Sequence, residues 1–307
     1  MPNKNLTSLI GSEINSYTIT KYINSGAFGD VFEARDNKNN INVALKIPIQ
    51  TEEKNGQKWL LEEAKIYKHL LQKNEDNEEP IGITNVKMIN SKKLDLKIMV
   101  MDLLGPSIES LIQKRKKFRL PSIILLAIQM IKIVRFLHLR GYVHRDLKPD
   151  NFVLDYENMD KLYCIDFGLA KKYVNNKNNH VEMTTKHKFC GTARYASISA
   201  HLGYTQSRKD DLESIGYILV YLFNGKLPWQ HIKHNDKEKK YQMILRKKQD
   251  ISEQELTKGL PREFLVYFKY VKELDFDEKP HYTSLINMFV KLYQTKKYDN
   301  NYEWKEE

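Results

Sequence analysis

Residues 144–151 read HRDLKPDN, and the triplet Asp166-Phe167-Gly168 begins fifteen positions after Asn151. Transfer of a phosphoryl group to a hydroxyl needs a carboxylate that orients the hydroxyl and takes its proton, a cation beside the group in flight, and oxygen ligands for hard Mg2+ ions. Asp146 suits the first task, Lys148 the second, and Asn151 with Asp166 the third. A single aspartate near proline or glycine is commonly a turn or capping residue. What carries weight is the whole set arriving together, in order, within one short stretch of chain.

Two upstream stretches suit the nucleotide end of such a reaction. Asn24-Ser25-Gly26-Ala27-Phe28-Gly29-Asp30-Val31 lies between two strand-like segments, so its glycines allow a hairpin whose backbone N–H groups approach phosphates. Asn24 stands where the GxGxxGxV pattern has its first glycine, and the tolerance of asparagine for positive φ would preserve the turn. Val43-Ala44-Leu45-Lys46 reads as a strand ending in a lysine placed to hold the α- and β-phosphates. Its expected partner is Glu63. That carboxylate falls in the middle of an apolar helical stripe, where it is costly unless paired, whereas Glu62 lies about 100° away around the helix.

These groups need a scaffold, and its outline follows from periodicity. Segments 19–23, 31–35 and 43–47 read as short strands bounded by turn residues. One helix interrupts them over 58–73, where Trp59, Leu60, Ile66, Tyr67, Leu70 and Leu71 recur at helical period. The LLGPS run at 103–107 carries a Gly-Pro break and marks a junction. Beyond it the pattern is mainly helical. Pro121 suits the first turn of a long apolar helix ending near Arg140, with Gly141 in the left-handed position after it. A second apolar helix, 211–223, is expected to be buried. The Asn/Lys/Glu-rich stretches 36–40, 73–79 and 175–179 read as exposed loops. The expected class is α+β, with a small sheet-rich lobe containing one helix over about 17–102, a hinge at about 102–106 and a larger, mainly helical lobe over about 107–298. Residues 1–16 and 299–307 are expected to be short flanks.

Composition narrows the classes. The 307 residues can bury a sizeable core. Cys164 and Cys190 are the only cysteines, with neither a CxxC pair nor a zinc-ligand spacing, which argues against a disulfide framework or a structural zinc. The longest purely apolar run, 215–223, falls well short of the roughly 20 residues of a membrane span. The N-terminus has no apolar signal core, and Pro2 occupies the place where myristoylation needs glycine, so an intracellular chain, cytoplasmic or nuclear, is expected. A net charge of +11 favours polyanionic partners. Nucleic acid has only that charge to recommend it, because basic and aromatic residues do not interleave, and no nucleic acid is required.

The segment Gly191-Thr192-Ala193-Arg194-Tyr195-Ala196-Ser197-Ile198-Ser199 resembles the casein kinase 1 family of Ser/Thr protein kinases, whose motif at this place ends Ser-Ile-Asn. The HRDLKPDN and Asp-Phe-Gly texts have protein kinase order and spacing. His201-Leu202-Gly203, QSRKDDLES at 206–214, LPWQ at 227–230 and MVMDLLGPS at 99–107 are also similar to that family, and the likeness runs from about Tyr17 to Tyr298.

The resemblance implies a two-lobed kinase that uses ATP and Mg2+ to phosphorylate Ser or Thr, often in acidic or already phosphorylated proteins, and a monomer is favoured. It implies nucleotide contacts from Ile23, Gly26, Phe28, Gly29, Val31, Ala44, Lys46 and Glu63, with Met101 as gatekeeper and Asp102 and Leu103 as the adenine-contacting hinge. Lys46 joins Asp146 and Lys148 as catalytic, and Asn151 and Asp166 are the metal ligands. Asp211 matches a residue that braces the catalytic loop. Arg194 and Lys240 match positions that bind a phosphate analogue near the substrate groove, and Arg145 and Lys171 match a second anion site whose third basic member is Lys186, His187 or Lys188. His231 and Glu238 replace family residues beside the first pocket, which implies weaker phosphate affinity. Thr184, Thr185 and Thr192 are candidates for modification and otherwise read as loop polarity. A scaffold that lacks catalysis is the alternative, but every catalytic and metal-binding position is filled.

Overall fold

Apolar residues alternating at period two build the first part of the chain into a sheet, seen in a computed structural model that describes residues 9–26, 29–51, 54–73, 79–299 and 301–305. The strands are β1 (Glu13–Ile14), β2 (Tyr17–Ser25), β3 (Gly29–Asp36) and β4 (Ile41–Pro48), the short pair β5 (Gln50–Thr51) and β6 (Lys54–Asn55), and then β7 (Val86–Ser91) and β8 (Leu96–Asp102). Six of them form one antiparallel sheet in the order β1-β2-β3-β4-β8-β7. In β3, Phe32 and Ala34 turn inward at period two to meet Ile14, Ile19, Leu45, Ile47, Ile98 and Val100 in a single core. The central strand β4 is different. From Val43 onward every residue is buried, because β3 and β8 pair with its edges and both its faces are covered.

Helix α1 (Gly56–Leu71) belongs to the same unit and buries Leu60, Glu63, Tyr67 and Leu70. Trp59 departs from the expected stripe and is 45 % exposed. It sits about 100° from Leu60 around the helix, on the flank of the buried face. The first flank is also revised. Ile14 is fully buried and β1 pairs with the start of β2, so the sheet begins before Tyr17. Asp36, expected in an exposed loop, is buried, and its carboxylate organises the turn by accepting the Lys38 N–H and the Asn39 amide. Residues 175–179 do form an exposed turn, while 74–78 lie outside the described residues.

The second unit contains α2 (Ile108–Arg115), α3 (Leu120–Leu139), α4 (Ile198–His201), α5 (Arg208–Asn224), α6 (Lys237–Asp250), α7 (Glu253–Leu256), α8 (Arg262–Glu273) and α9 (Tyr282–Thr295). Two small antiparallel sheets accompany them: β9 (Tyr142–Val143) with β12 (Lys171–Lys172), and β10 (Phe152–Leu154) with β11 (Leu162–Cys164). The division between units falls at Gly105/Pro106, inside the LLGPS run, and Ile165–Gly168 group with the first unit although their neighbours in sequence belong to the second.

Helix α3 starts with Pro121 in its first turn and ends before Gly141 at φ +79°. It packs against α5 and α9. By length and composition it is the one described helix that could cross a membrane, yet it is mostly buried inside the protein, the ordinary state of a core helix. The second flank is structural as well. Trp304 stacks on Tyr302 and donates its indole N–H to the Met159 carbonyl at 3.0 Å, while Glu303 accepts the Arg119 N–H at 2.7 Å. Buried aromatics hold this stretch even though the family resemblance fades there.

At Gly216, α5 and α8 approach so closely that an added Cβ would lie 2.7 Å from the ring of Phe268. Alanine in place of a mid-helix glycine usually stabilises by about 1 kcal/mol. Here the clash reverses the sign, and Gly216→Ala is expected to destabilise by about 1–3 kcal/mol. A melting temperature above wild type would contradict this packing.

Candidate active site

Strand β4 places Lys46 opposite Val31 on β3 and Met99 on β8, and nearly buries it. Its Nζ lies 2.7 Å from Glu63 Oε2 and 3.4 Å from Asp166 Oδ1. Burial opposes the ammonium charge, but the carboxylates of Glu63 and Asp166 outweigh it and hold the lysine above its ordinary pKa. Lys46 therefore remains a cation in the interior. Helix α1 contributes Glu63, and one turn later Tyr67 meets the buried ring of Phe167 edge-on at 4.9 Å. That contact seats the segment Ile165–Gly168. Within it Asp166 has φ +64°, a left-handed conformation that costs a non-glycine residue free energy and is typical of functional sites.

The glycine loop closes through the Gly26 N–H, which donates to the Gly29 carbonyl at 2.8 Å. Gly29 is required by space, since a Cβ there would lie 2.8 Å from the Ile47 carbonyl oxygen. Asn24 differs from expectation. It is a strand residue opposite Val31 outside the left-handed region, and its side-chain oxygen accepts the Ser25 N–H at 2.8 Å. Tolerance of positive φ is thus not what admits asparagine. Ala44 is buried, Val31, Met101 and Leu103 are half-buried, and Ile23 is exposed. The Asp102 carboxylate accepts the Asn85 side-chain amide at 2.8 Å and the Asn85 N–H at 3.2 Å, and its own backbone N–H donates to the Asn85 carbonyl at 3.3 Å. Phe28 lies outside the described residues.

In the second unit the Asp146 carboxylate is fixed at both oxygens. Lys148 Nζ donates to Oδ2 at 2.9 Å and the Thr192 hydroxyl donates to Oδ1 at 2.7 Å. Asn151 donates its amide to the Asp146 carbonyl at 3.0 Å. The loop is shaped from below by Asp211 on α5, which accepts the backbone N–H groups of His144 at 2.7 Å and Arg145 at 3.0 Å and the His138 Nε2–H at 2.9 Å. Burial would push the Asp211 carboxyl up, but these donors hold it below the ordinary value. Arg145 stands at φ +68°, and its Nε donates to the Leu169 carbonyl at 2.7 Å. Gly191, at φ +100°, runs so close that a Cβ would come within 2.5 Å of the Arg145 carbonyl oxygen.

Arg194 is half-buried, with its guanidinium over the rings of Tyr195 and Tyr221 at 5.7 and 5.8 Å. Lys240 lies in the first turn of α6, a separate element, and is half-buried. Arg145 and Lys171 line a cavity of about 280 Å³ together with Lys172, His187, Lys188 and Cys190. Of the three alternatives left open by the sequence, His187 and Lys188 line this cavity. Burial pushes the Cys190 thiol up, against the pull of Arg145 and Lys171. Among the described residues no group of three or more His, Cys, Asp or Glu could hold a metal ion by itself.

Sequence reasoning missed three participants. Thr192 read as loop polarity but holds Asp146. His138 and Tyr282 gave no local signal, being 144 positions apart, yet the Tyr282 hydroxyl bonds His138 Nδ1 at 2.6 Å and so orients the ring toward Asp211. Burial lowers the His138 pKa despite Asp211, which keeps the ring neutral, with Nε2–H donating and Nδ1 accepting.

A histidine that titrates at about 6.5 when unfolded and lower when folded contributes stability above about pH 6.5, lost as pH falls below that value at up to about 1.4 kcal/mol per pH unit. His138→Gln lacks this dependence. Urea unfolding should therefore show the stability gap between wild type and His138→Gln narrowing from pH 7 to pH 5. A constant gap would show that His138 is not held neutral.

The model of the protein kinase domain family matches residues 17–296. The match spans both units, from the start of β2 to the end of α9, and takes in the Lys46–Glu63 pair and the braced loop around Asp146. With nearly its whole length accounted for in this way, the chain belongs to the protein kinase family.

Proposed function

We propose that the chain is a serine/threonine kinase of casein kinase 1 type, which transfers the γ-phosphoryl group of ATP to hydroxyls of acidic or already phosphorylated proteins. The observation that carries the reading is the carboxylate of Asp146, held at one oxygen by Lys148 and at the other by Thr192. A base held at both oxygens can orient an incoming hydroxyl and take its proton without reorganising, and the adjacent ammonium can neutralise the phosphoryl group as it moves. Lys46, kept charged by Glu63 and Asp166, suits the α- and β-phosphates. The Ser/Thr preference and the casein kinase 1 likeness rest on the sequence motifs around 191–199.

The donor set fits Mg2+. Asn151 commits its amide N–H to the Asp146 carbonyl, so its side-chain oxygen is the atom offered to a hard cation, and Asp166 offers a carboxylate. When bound, Mg2+ would neutralise charge on the phosphate oxygens. Oxygen donors of this kind suit a hard ion that keeps several waters and arrives with a nucleotide.

Arg194 and Lys240, with Arg145 and Lys171 as a second group, are the candidates for recognising phosphate on the substrate. A phosphoserine brings a charge of about −1.5 to −2 and three acceptor oxygens, which arginine matches well.

Purified protein with MgATP should phosphorylate casein, and Asp146→Asn should lower the rate by about 100-fold or more. Equal labelling by the two proteins would refute the role of Asp146. A serine peptide carrying phosphoserine three residues upstream should be a better substrate than its unphosphorylated form. Arg194→Ala should remove about 1.5–3 kcal/mol of that preference, the worth of a charged hydrogen bond. No preference in either protein would overturn the phosphate pocket while leaving the kinase reading intact.

A further inference from the structure

Lys248, in the last turn of α6, is 3 % exposed, and among the described residues no carboxylate forms an ion pair with it. A buried ammonium without a counter-ion is costly, and a methionine would fill the space without that cost. Burial lowers the Lys248 pKa to about 7, with the Glu213 carboxylate opposing the shift, and the surroundings give the amine its partners. Nζ donates to the Ala193 carbonyl at 3.1 Å and to the Ala196 carbonyl, and it lies over the rings of Tyr217 at 4.6 Å and Trp229 at 5.0 Å. Carbonyl dipoles and aromatic faces, with the Glu213 carboxylate acting at longer range, offset part of that cost.

The two carbonyls belong to a segment with a task at each end. Thr192, at its start, donates to Asp146, and its own carbonyl accepts the N–H groups of Tyr195 and Ala196 at 2.9 Å each, closing a turn. Arg194 lies within that turn. The turn is tied down at three carbonyls: those of Ala193 and Ala196 by Lys248, and that of Arg194, which accepts the Trp229 indole N–H at 2.8 Å. Glu213 on α5 continues the support by accepting the Ile198 N–H at 2.9 Å and the Tyr217 hydroxyl at 2.6 Å. Lys248 and Trp229 thus share one ring contact and hold one turn, and that turn carries both the hydroxyl on Asp146 and the guanidinium of Arg194.

We propose that Lys248 is a positioning residue for the protein substrate, setting Thr192 against Asp146 and fixing Arg194 through the carbonyls of Ala193 and Ala196. The proposal rests on the kinase reading for its kinetic consequence. Because the turn and its supports all lie in the second unit, the effect should fall on the peptide substrate rather than on ATP.

The test compares wild type, Lys248→Met and Trp229→Phe as full chains, below the melting temperature of each. The first variant keeps the volume and removes the donors; the second keeps an aromatic face and removes the bond to the Arg194 carbonyl. Lys248→Met should lower kcat/KM for the phosphoserine-primed peptide by about 10 to 100-fold, the scale of a small misplacement in an active site, with KM for ATP nearly unchanged. Trp229→Phe should shift the same parameters less. Hydrogen exchange of peptides covering 190–198 should quicken in Lys248→Met while α3 and α5 keep their protection. Ethylammonium added to Lys248→Ala should restore part of the peptide rate.

Unchanged peptide kinetics and exchange in Lys248→Met would overturn the proposal. So would a parallel loss of ATP and peptide parameters in both variants, the mark of a purely structural residue. If wild type itself transfers no phosphate, the kinase reading fails, and faster exchange at 190–198 then decides on its own whether Lys248 holds the turn.

Discussion

A charge taken out of water must be met by other charge or by aligned dipoles, and this protein places its functional backbone where those debts are settled. Asp211 shows the rule most clearly. Fully enclosed on α5, it can remain ionised only by accepting hydrogen bonds, and it takes two of them from the backbone of His144 and Arg145. The loop that carries Asp146 is therefore held in shape by the demand of a neighbouring carboxylate. Lys46 with Glu63 and Asp166 obeys the same rule in the first unit, whereas Lys248, with carbonyls and rings in place of an ion pair, meets it only in part and has its pKa lowered to about 7 by burial.

Anchoring of this kind lets the chain adopt conformations it would otherwise avoid. Arg145 and Asp166 both have left-handed backbones, each costing about 1–3 kcal/mol; Arg145 is held by its N–H on Asp211 and its Nε on the Leu169 carbonyl, and Asp166 by Lys46. Gly191 serves the same region in the opposite way, by offering nothing that would collide with the Arg145 carbonyl. Strain, close approach and buried charge thus gather around the residues proposed to handle phosphate, while the sheet core and the α3–α5–α9 packing are conventional.

Much of this was legible in the chain. Period-two alternation located β2 and β3, and Glu63 announced its partner because a carboxylate has no other reason to interrupt an apolar stripe. The Gly-Pro break lies at the division between units, and Pro121 and Gly141 bracket α3 as their backbone preferences require. Where the reading failed, the cause was local information standing in for tertiary contact. Trp59 is apolar but lies on the flank of its helix, Asn24 is a strand residue, and residues 13–14 and 302–304 are folded in by partners far away in sequence.

The sequence alone determined the main elements, the protein kinase family and which polar residues stand at its motif positions, because motif spacing and side-chain periodicity are properties of neighbours along the chain. Only the tertiary structure decided which groups hold that set in place. Thr192 on Asp146, Tyr282 on His138 and Lys248 beneath Ala193 and Ala196 join positions between 46 and 144 residues apart. Such pairings follow from how helices pack and which charges burial strands together, and no periodicity in a single chain records them.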